Sequence, residues 1–469
     1  MGSAAPEQGQ KAVGGITVSG EYTVSAIVDA NSYEIVHASA ASSGATGGGA
    51  SVAYEYEIAC GYLVVTRGGG YGVGGYGQGT YGTVRTDSDF IQFPRIWTFS
   101  GYGEDALATY NGGKLYYYDA TNPTDRATVV SNSPSSMLAA FVTDERHIIA
   151  LGTSGDLMNV EWCDQNDSTL WTPASTNTAG SRRLRVGTRL VNGAVLQGRE
   201  NLIWSDEAVY LWQYTGSQYV FDSRVAGTKC GLVAPHAFAV FDGVAYWMSP
   251  TNFHLYNGAV QPIPNSSDVR KWVFDNISDL QRHISFAGYY PEFSEVWWWF
   301  ALEGDSDCSV YVAYNTLDGS WTKGTMSRSA FTLQDSVSVN PILSGVTGDS
   351  YLYKHEQSHK NDDSGAAIEA FVTAAPLHIS YGSKVIDMWG FDPDFETQVG
   401  DVTLEIVTYG SRRTADVVDN LSYTIETTDT VIDTHASGRF MAMTLRSNAV
   451  DGDFRIGQPT INTTPGGDR

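Results

Sequence analysis

The sequence contains little cysteine, and the cysteines it has are widely spaced. Cys60, Cys163, Cys230 and Cys308 form no CxxC pair. Four cysteines in a chain of 469 residues do not build a disulfide framework. We therefore expect buried or half-buried free thiols, which fits assembly in a reducing cytoplasm.

Basic charge is also scarce. The chain has 28 Lys and Arg against 52 Asp and Glu, which gives a net charge of -24 at pH 7. A protein that binds nucleic acid by neutralising phosphates would be basic, so the composition disfavours that class of protein. It disfavours binding to an anionic membrane surface for the same reason. A strongly acidic surface keeps a protein soluble and repels other polyanions.

Long apolar runs are missing as well. No stretch of about 18 apolar residues occurs, so we expect no membrane span. The first ten residues are small and polar, and they lack the basic and apolar regions of a signal peptide.

Glycine and aromatic residues are abundant instead. The chain has 50 Gly, 27 Tyr, 18 Phe and 12 Trp, while 42% of its residues are apolar. This mixture is typical of many short strands joined by tight turns, and it is too hydrophobic for a disordered chain. We therefore predict an all-β protein.

Strand patterns and composition predict four regions. Residues 1–60 form a small N-terminal β module, and residues 61–90 form a Gly/Tyr-rich linker. Residues 91–360 form a β-propeller-like domain, because groups of strands with Tyr/Trp clusters recur about every 40 to 50 residues. Residues 361–469 contain more Thr and Val and alternate more cleanly, which predicts a C-terminal β-sandwich. A short helix is predicted near residues 267–279.

The sharpest chemical motif is an HExxH sequence that begins at His355 and ends at His359. A zinc peptidase needs this motif on a helix, so that both imidazoles reach one metal ion. Here a strand pattern precedes the motif and a turn follows it. Residues four apart on a strand lie about 13 Å from each other, which is too far for one zinc ion. We interpret the motif as a solvated strand end and predict no metal site.

Two other patterns resemble functional motifs. A GxGxxG sequence at Gly72, Gly74 and Gly77 lacks the strand and helix of a dinucleotide-binding loop, so we interpret it as part of the linker. Pairs of carboxylates could suggest glycoside hydrolysis, but all of them lie in turn-like sequence. We predict no catalytic residue and no cofactor. The pairs are Asp305/Asp307, Asp362/Asp363 and Asp392/Asp394.

A basic cluster stands out against the acidic background. It consists of Arg182, Arg183, Arg185 and Arg189. One interpretation is contact with a phosphate or an acidic partner, and the other is a solvent-facing strand with local ion pairs. The run Trp297-Trp298-Trp299 resembles a sugar platform, but alternate residues of a strand point to opposite faces. We therefore expect this run to be buried between two sheets.

Several longer stretches of the sequence are distinctive when taken together. They include WCDQNDSTLWTP at 162–173, TAGSRRL at 178–184, NLIWSDEAVYLWQYTG at 201–216, GTKCGLVAPHAFAVFDGVAYWMSP at 227–250, FAGYYPEFSEVWWWF at 286–300 and YNTLDGSWTKGTMSR at 314–328. These stretches resemble the tail nozzle family of short-tailed bacteriophages, also called tail hub or packaged-DNA stabilisation proteins. The resemblance covers about residues 95–460, and the block 178–328 is the most specific.

The resemblance implies a structural virion protein and not an enzyme. Members of the family form a ring, usually of six copies, below the portal and the adaptor. The genome leaves through the lumen of this ring, and tail fibres or spikes bind on its outside. The resemblance thus implies a protein of the phage tail, assembled in the host cytoplasm, that helps to seal packaged DNA and contacts it without sequence-specific binding.

Two other functions stay open at this point. One is a propeller-type tail protein that binds a receptor or binds or degrades a polysaccharide, which would need an acidic pair and aromatic side chains at one propeller mouth. The other is a zinc peptidase at His355 and His359.

Overall fold

The structure, a computed structural model, shows a protein built almost entirely of antiparallel β-strands. By its contacts the chain divides into two compact units, Met1–Gly61 and Tyr62–Arg469. The predicted all-β class is confirmed. The residues that the structure describes are 12–17, 22, 24–29, 32–44, 66–67, 91–92, 95–196, 198, 200–216, 219–333, 340–349, 351–356, 365–374, 376–378, 382–413 and 416–467.

The N-terminal unit contains two short hairpins. Gly14 and Gly15 both have a positive φ in the first turn, a conformation that glycine adopts without a Cβ clash. The backbone N–H and the hydroxyl of Ser42 both donate to the carbonyl oxygen of Gly14 at 2.8 Å. The alternating sequence ASVAYEYEI at residues 50–58, which also predicts a strand, lies outside the described residues. The strands are β1 (Ala12–Val13), β2 (Ile16–Thr17), β3 (Val24–Asp29) and β4 (Ser32–Ile35).

One short strand pair flanks the Gly/Tyr-rich sequence. β5 (Thr66–Arg67) pairs with β6 (Ile91–Gln92) in antiparallel fashion. The glycines of the GxGxxG sequence and most of the predicted linker lie outside the described residues.

Six antiparallel sheets then follow one another from Trp97 to Lys354. Five of them have four strands and the sixth has three, and each strand pairs with the strand before it in the chain. The strands are β7 (Trp97–Tyr102), β8 (Asp105–Tyr110), β9 (Tyr116–Tyr118) and β10 (Thr128–Val129); β11 (Ala139–Val142), β12 (Ile148–Leu151), β13 (Asn159–Trp162) and β14 (Gly180–Arg183); β15 (Leu190–Val195), β16 (Glu200–Ser205), β17 (Ala208–Tyr214) and β18 (Phe221–Thr228); β19 (Phe238–Phe241), β20 (Val244–Met248), β21 (Phe253–Tyr256) and β22 (Val260–Pro262); β23 (Phe286–Tyr290), β24 (Glu295–Phe300), β25 (Val310–Asn315) and β26 (Trp321–Thr325); and β27 (Ala330–Leu333), β28 (Pro341–Ser344) and β29 (Leu352–Lys354).

Successive sheets pack face to face through large aromatic side chains. Trp162 of the second sheet contacts Trp212 of the third, with ring centroids 5.6 Å apart. Trp204 of the third sheet contacts Trp247 of the fourth at 5.7 Å. Separate apolar clusters join the first sheet to the second, the second to the third, the third to the fourth and fifth, and the fifth to the sixth. The predicted β-propeller-like domain is therefore confirmed, with six sheets among the described residues.

A histidine connects two sheets that are far apart in the sequence. His236 precedes the fourth sheet, and its Nε2 donates to the carbonyl oxygen of Trp97 in the first sheet at 2.7 Å. Burial lowers the pKa of His236, so the ring is neutral and holds one defined hydrogen bond.

The first sheet corrects one sequence interpretation. The turn signal Asn111-Gly112-Gly113 within residues 95–120 predicts two strands, one on each side of it, whereas the structure has three strands there. An additional tight turn at Gly103 separates β7 from β8, and Gly103 has a φ of 75°. The sequence GYGED around it lacks the Asn-Gly or Asp-Gly pair that usually indicates a hairpin turn.

Helical structure is short, as predicted. The helix α1 (Ser267–Asn276) lies between the fourth and fifth sheets along the chain. Its residue Val273 is buried in the core. A single 3₁₀ turn (Arg282–Ile284) follows. Within the described ranges, no helix is long and apolar enough to cross a membrane.

The C-terminal strands form two packed sheets, so the predicted β-sandwich is confirmed. One sheet has the order β30-β36-β33-β34 and the other has the order β35-β31-β38, while β32 pairs with β37. Met388, Leu404 and Met443 belong to the core between them. The strands are β30 (Ala370–Thr373), β31 (Ile386–Asp392), β32 (Phe395–Val399), β33 (Val402–Tyr409), β34 (Val417–Ile425), β35 (Ile432–Gly438), β36 (Phe440–Ser447), β37 (Asp453–Ile456) and β38 (Thr460–Pro465).

The three cysteines within the described residues are free and buried, as expected. Burial raises the pKa of the Cys163 thiol to about 12 and that of Cys230 to about 11, and it also raises the pKa of Cys308. All three are therefore protonated near neutral pH and behave as small apolar side chains. Cys60 lies outside the described residues.

Two glycines in first strands test the packing between sheets. A Cβ on Gly193 would lie 2.2 Å from Cε1 of Phe141 in the neighbouring sheet, whereas a Cβ on Gly101 would have no neighbour within 4 Å. Gly193→Ala should lower the free energy of unfolding by about 1–3 kcal/mol, because it overpacks the interface. Gly101→Ala should leave it unchanged or raise it by up to about 1 kcal/mol. Urea unfolding measures both, and equal midpoints for the two variants would contradict this packing.

Candidate functional site

The predicted basic cluster begins at the outer edge of the second sheet. Arg182 and Arg183 end β14, the last strand of that sheet. Arg182 Nη1 lies 3.5 Å from Oδ1 of Asp222 on β18, and Arg183 Nε donates to Oδ2 of Asp156 at 2.6 Å. A backbone hydrogen bond from Met158 and the Arg183 guanidinium together lower the pKa of Asp156. These are exposed ion pairs, and solvent screens the attraction in such pairs strongly.

The other two arginines lie in the segment that leads to the third sheet. Arg185 is exposed, and no carboxylate of a described residue forms an ion pair with it. Arg189 lies beside Asp206. Burial acts to raise the pKa of the Asp206 carboxyl, but hydrogen bonds from Thr188 and the charge of Arg189 outweigh it, so the pKa is lowered. Arg189 also lies near His283, whose pKa is lowered to about 4, mainly by burial.

The structure therefore separates the four arginines. Arg182, Arg183 and Arg189 each lie beside a carboxylate, which fits the interpretation of local ion pairs at the outer edge. Arg185 is exposed and forms no ion pair with a carboxylate of a described residue. Contact of this cluster with a phosphate or an acidic partner stays a prediction.

The described carboxylate pairs hold loops together. Oδ1 of Asp307 accepts the hydroxyl of Thr347 at 2.6 Å and so connects loops of the fifth and sixth sheets, while Asp305 accepts the hydroxyl of Ser309. Asp394 accepts the backbone N–H of Gln458 at 2.8 Å. Carboxylates used in this way stabilise turns, and the structure does not present them as a pair facing an open cleft. Asp392 accepts the amide of Asn462, and Asp362 and Asp363 lie outside the described residues.

At the HExxH sequence, the structure differs from the prediction of a strand end exposed to solvent. The motif follows β29 directly, but His355 is half-buried and hydrogen-bonded. Arg328 Nε donates to His355 Nε2 at 3.2 Å, so His355 Nδ1 carries the proton and donates to the hydroxyl of Tyr290 at 3.1 Å. Both ring nitrogens are thereby engaged with protein groups. His359 lies outside the described residues, and the residues that the structure describes contain no cluster of His, Cys, Asp and Glu suited to a metal ion.

The tryptophan run is buried on both faces of its strand, as predicted. Trp298 belongs to the cluster shared with the third and fourth sheets, whereas Trp299 belongs to the cluster shared with the sixth. Trp297 stacks on Tyr311 at 4.1 Å, and its Nε1 donates to Glu295 at 2.8 Å. These side chains fill the core and are not a sugar-binding surface.

Charge is distributed unevenly in the propeller, a feature that sequence reasoning missed. The first strands of the six sheets contain no Asp, Glu, Lys or Arg. First strands contact each other in the pairs β7–β11, β11–β15, β19–β23 and β23–β27. A parallel bridge joins His236, just before β19, to Phe286 of β23, so the chain runs in the same direction at these two positions. Turns from first to second strands therefore open at one end of the domain, which we call the acidic mouth. Their described acidic residues are Glu104, Asp144, Glu145, Asp242 and Glu292, and their described basic residue is Arg146.

No protein-family model matches the chain, and no curated protein matches it. Solved structures with similarity to it include YCF48 bound to D1 peptide, with 10% identity, a TM-score of 0.34 and coverage of 57% of this chain and 80% of that one. BamB from Moraxella catarrhalis has 14% identity, a TM-score of 0.33 and coverage of 57% and 76%. PorZ, a surface component of the type-IX secretion system of Porphyromonas gingivalis, has 11% identity, a TM-score of 0.35 and coverage of 80% and 51%.

Similarities this low do not carry an argument about function. The sheets themselves define the class: this is an all-β protein with a β-propeller-like domain followed by a β-sandwich.

The Arg183–Asp156 pair can be tested by a double-mutant cycle. In urea unfolding, the effects of Arg183→Gln and Asp156→Asn should be nearly additive in the double variant, because the pair is exposed and solvent screens it. Arg185→Gln is the matched control, and it should change the free energy of unfolding by less than about 0.5 kcal/mol. A larger effect of Arg185→Gln would mean that this guanidinium stabilises the fold and is not free for a partner.

Proposed function

We propose that this protein is a structural component of the tail of a short-tailed bacteriophage. In this proposal, six copies of the chain form the nozzle ring below the adaptor. The ring helps to seal packaged DNA and is its exit channel during ejection. The protein performs no catalysis in this role and needs no cofactor. It resides in the virion and is assembled in the host cytoplasm.

The distribution of charge in the propeller is the observation that carries the proposal. The first strands are uncharged, and the acidic mouth presents five carboxylates against one guanidinium among the described residues. Duplex DNA adheres to proteins mainly through Lys and Arg contacts to its phosphates. A surface without such contacts repels DNA weakly and lets it move past.

The residues that resemble the nozzle family support the proposal in a second way. In the block 201–250 they interlock two sheets and form no reactive cluster. A Cβ on Gly231 would lie 2.3 Å from the backbone of Asp206, so this close approach requires glycine. The indole N–H of Trp247 donates to the carbonyl oxygen of Cys230 at 2.7 Å. Side chains of this kind maintain a rigid scaffold, which is what a ring subunit needs.

Exposed apolar side chains fit a protein that assembles with partners. In the C-terminal sandwich, Phe371 and Val372 of the edge strand β30 are exposed, as are Ile368 and Trp389. An edge strand with exposed apolar residues is a site where another chain can pair. The proposed partners are further copies of this chain, the adaptor ring, and tail fibres or spikes.

Ring formation is the first test of the proposal. Purified protein, alone and mixed with the adaptor–portal complex, should form rings of about six subunits with a central hole wide enough for duplex DNA. Light scattering and negative-stain imaging at several concentrations measure the mass and the shape. A protein that stays monomeric and also fails to join the adaptor–portal complex would contradict the proposal.

The acidic mouth gives a second test, with variants of equal charge. The triple variant Glu104→Lys, Asp144→Lys, Glu292→Lys should retain duplex DNA, with an affinity that falls steeply as salt increases. The wild type should not retain DNA at about 0.15 M salt. Electrophoretic mobility of a short duplex measures both.

The matched control places the same charge change elsewhere. Asp401→Lys, Glu426→Lys and Asp433→Lys are three exposed changes on the C-terminal sandwich. This control should bind duplex DNA clearly more weakly than the mouth variant does. If the two triple variants retained duplex DNA equally, the location of the carboxylates would not matter. The acidic mouth would then no longer support the proposed function.

A further inference from the structure

A cleft of about 250 Å³ lies at one end of the four-stranded sheet of the C-terminal sandwich. Its walls come from three segments that are separate in the sequence: the chain after β30, the turn between β33 and β34, and the start of β36. The residues that line it are Pro376, His378, Tyr409, Ser411, Arg412 and Phe440.

Phe440 is the rigid base of this cleft. It pairs with Tyr409 across β36 and β33, and it is buried. A Cβ on Gly382 would lie 2.2 Å from the Phe440 ring, so the ring packs directly against that glycine. His378 meets the ring edge to face with centroids 5.6 Å apart, and the Arg412 guanidinium lies 5.9 Å from the ring centroid. An aromatic base with a cation and an imidazole around it is therefore already formed.

The charge around the cleft is opposite in sign to that of the chain. Arg412 lies in a turn with Arg413, and Arg439 pairs with the end of β33 through a backbone hydrogen bond to Tyr409. Asp416 is the nearby acidic residue of the described turn. No carboxylate of a described residue forms an ion pair with the Arg412 guanidinium. The guanidinium is thus free to bind an anion in a molecule whose net charge is -24.

We propose that this cleft binds the carboxylate of an acidic sugar, such as a uronic acid unit of a polysaccharide. Arg412 binds the carboxylate with its planar fork of donors. The hydroxyls of Tyr409 and Ser411 bind the sugar hydroxyls, and the Phe440 ring contacts the apolar face of the sugar.

The size and composition of the cleft favour this ligand over others. Its volume lies just below the range of about 300–1,000 Å³ for pockets that hold drug-sized ligands, so it accommodates one sugar unit. A phosphate dianion is usually bound directly by several cations or by a helix N-terminus. Of the arginines around this cleft, Arg412 alone lines it, and no helix of the described residues does. An extended peptide would need a groove with backbone partners, which six residues around one aromatic ring do not make. The site does not depend on ring formation, so it goes beyond the proposed function.

Binding of methyl glucuronide to the purified full-length protein tests the proposal. Methyl glucoside has the same ring without the charge and should bind at least about tenfold more weakly, as measured by saturation-transfer difference NMR titration. Arg412→Gln should weaken glucuronide binding by about tenfold to a hundredfold, because it removes a charged hydrogen-bond donor. Tyr409→Phe, which removes only one hydroxyl, should weaken it a fewfold.

Arg413→Gln is the matched control, since this neighbour on the same turn does not line the cleft. It should leave glucuronide binding within twofold of the wild type, and thermal unfolding should be alike for all variants. Equal binding of glucuronide by Arg412→Gln and Arg413→Gln would overturn the proposal. Binding of inorganic phosphate or of a short peptide with a free carboxylate as tightly as glucuronide would overturn it as well.

Discussion

The burial of both faces of each sheet against its neighbours is the interaction on which the propeller depends. β24 shows how this works, because Trp298 packs towards the fourth sheet while Trp299 packs towards the sixth. Truncating a buried aromatic side chain to alanine costs about 3–5 kcal/mol, so each interface is a large part of the stability. The same closeness requires glycine at Gly193 and Gly288, where a Cβ would lie 2.2 Å and 2.5 Å from an aromatic ring of the adjacent sheet.

This packing also determines where charge can lie. A strand that is buried on both faces has no position for an unpaired charge, because removing a charge from water is costly. The charged residues of the propeller are therefore found mainly in turns, near strand ends and on outer strands. Ion pairs such as Arg183–Asp156 form at the outer edge, and the carboxylates of the acidic mouth collect where the first hairpins turn. The electrostatic features that support the proposed function thus follow from the way the sheets pack.

In the C-terminal sandwich, each sheet buries one face and exposes the other, unlike the sheets of the propeller. β33 and β35 alternate strictly between buried and less buried residues, as expected for sheets with one face towards water. Such sheets keep open edges and open ends. The exposed edge strand β30 and the cleft beside Phe440 both arise there, at places where the sheet has no neighbouring sheet to cover it.

The sequence by itself determined the all-β class through its composition and the propeller-like domain through the recurrence of aromatic strand groups. The alternation of residues along strands determined the sandwich and the burial of the tryptophan run. All of these features can be read along continuous stretches of the chain. The turn at Gly103 was not predicted because the sequence around it lacks a strong turn signal. The acidic mouth, the ion pairs of Arg182 and Arg183, and the cleft at Arg412 were decided only by the tertiary structure. Each of them brings together residues from separate hairpins or strands, and such a meeting depends on sheet order and packing, which no short stretch of sequence encodes.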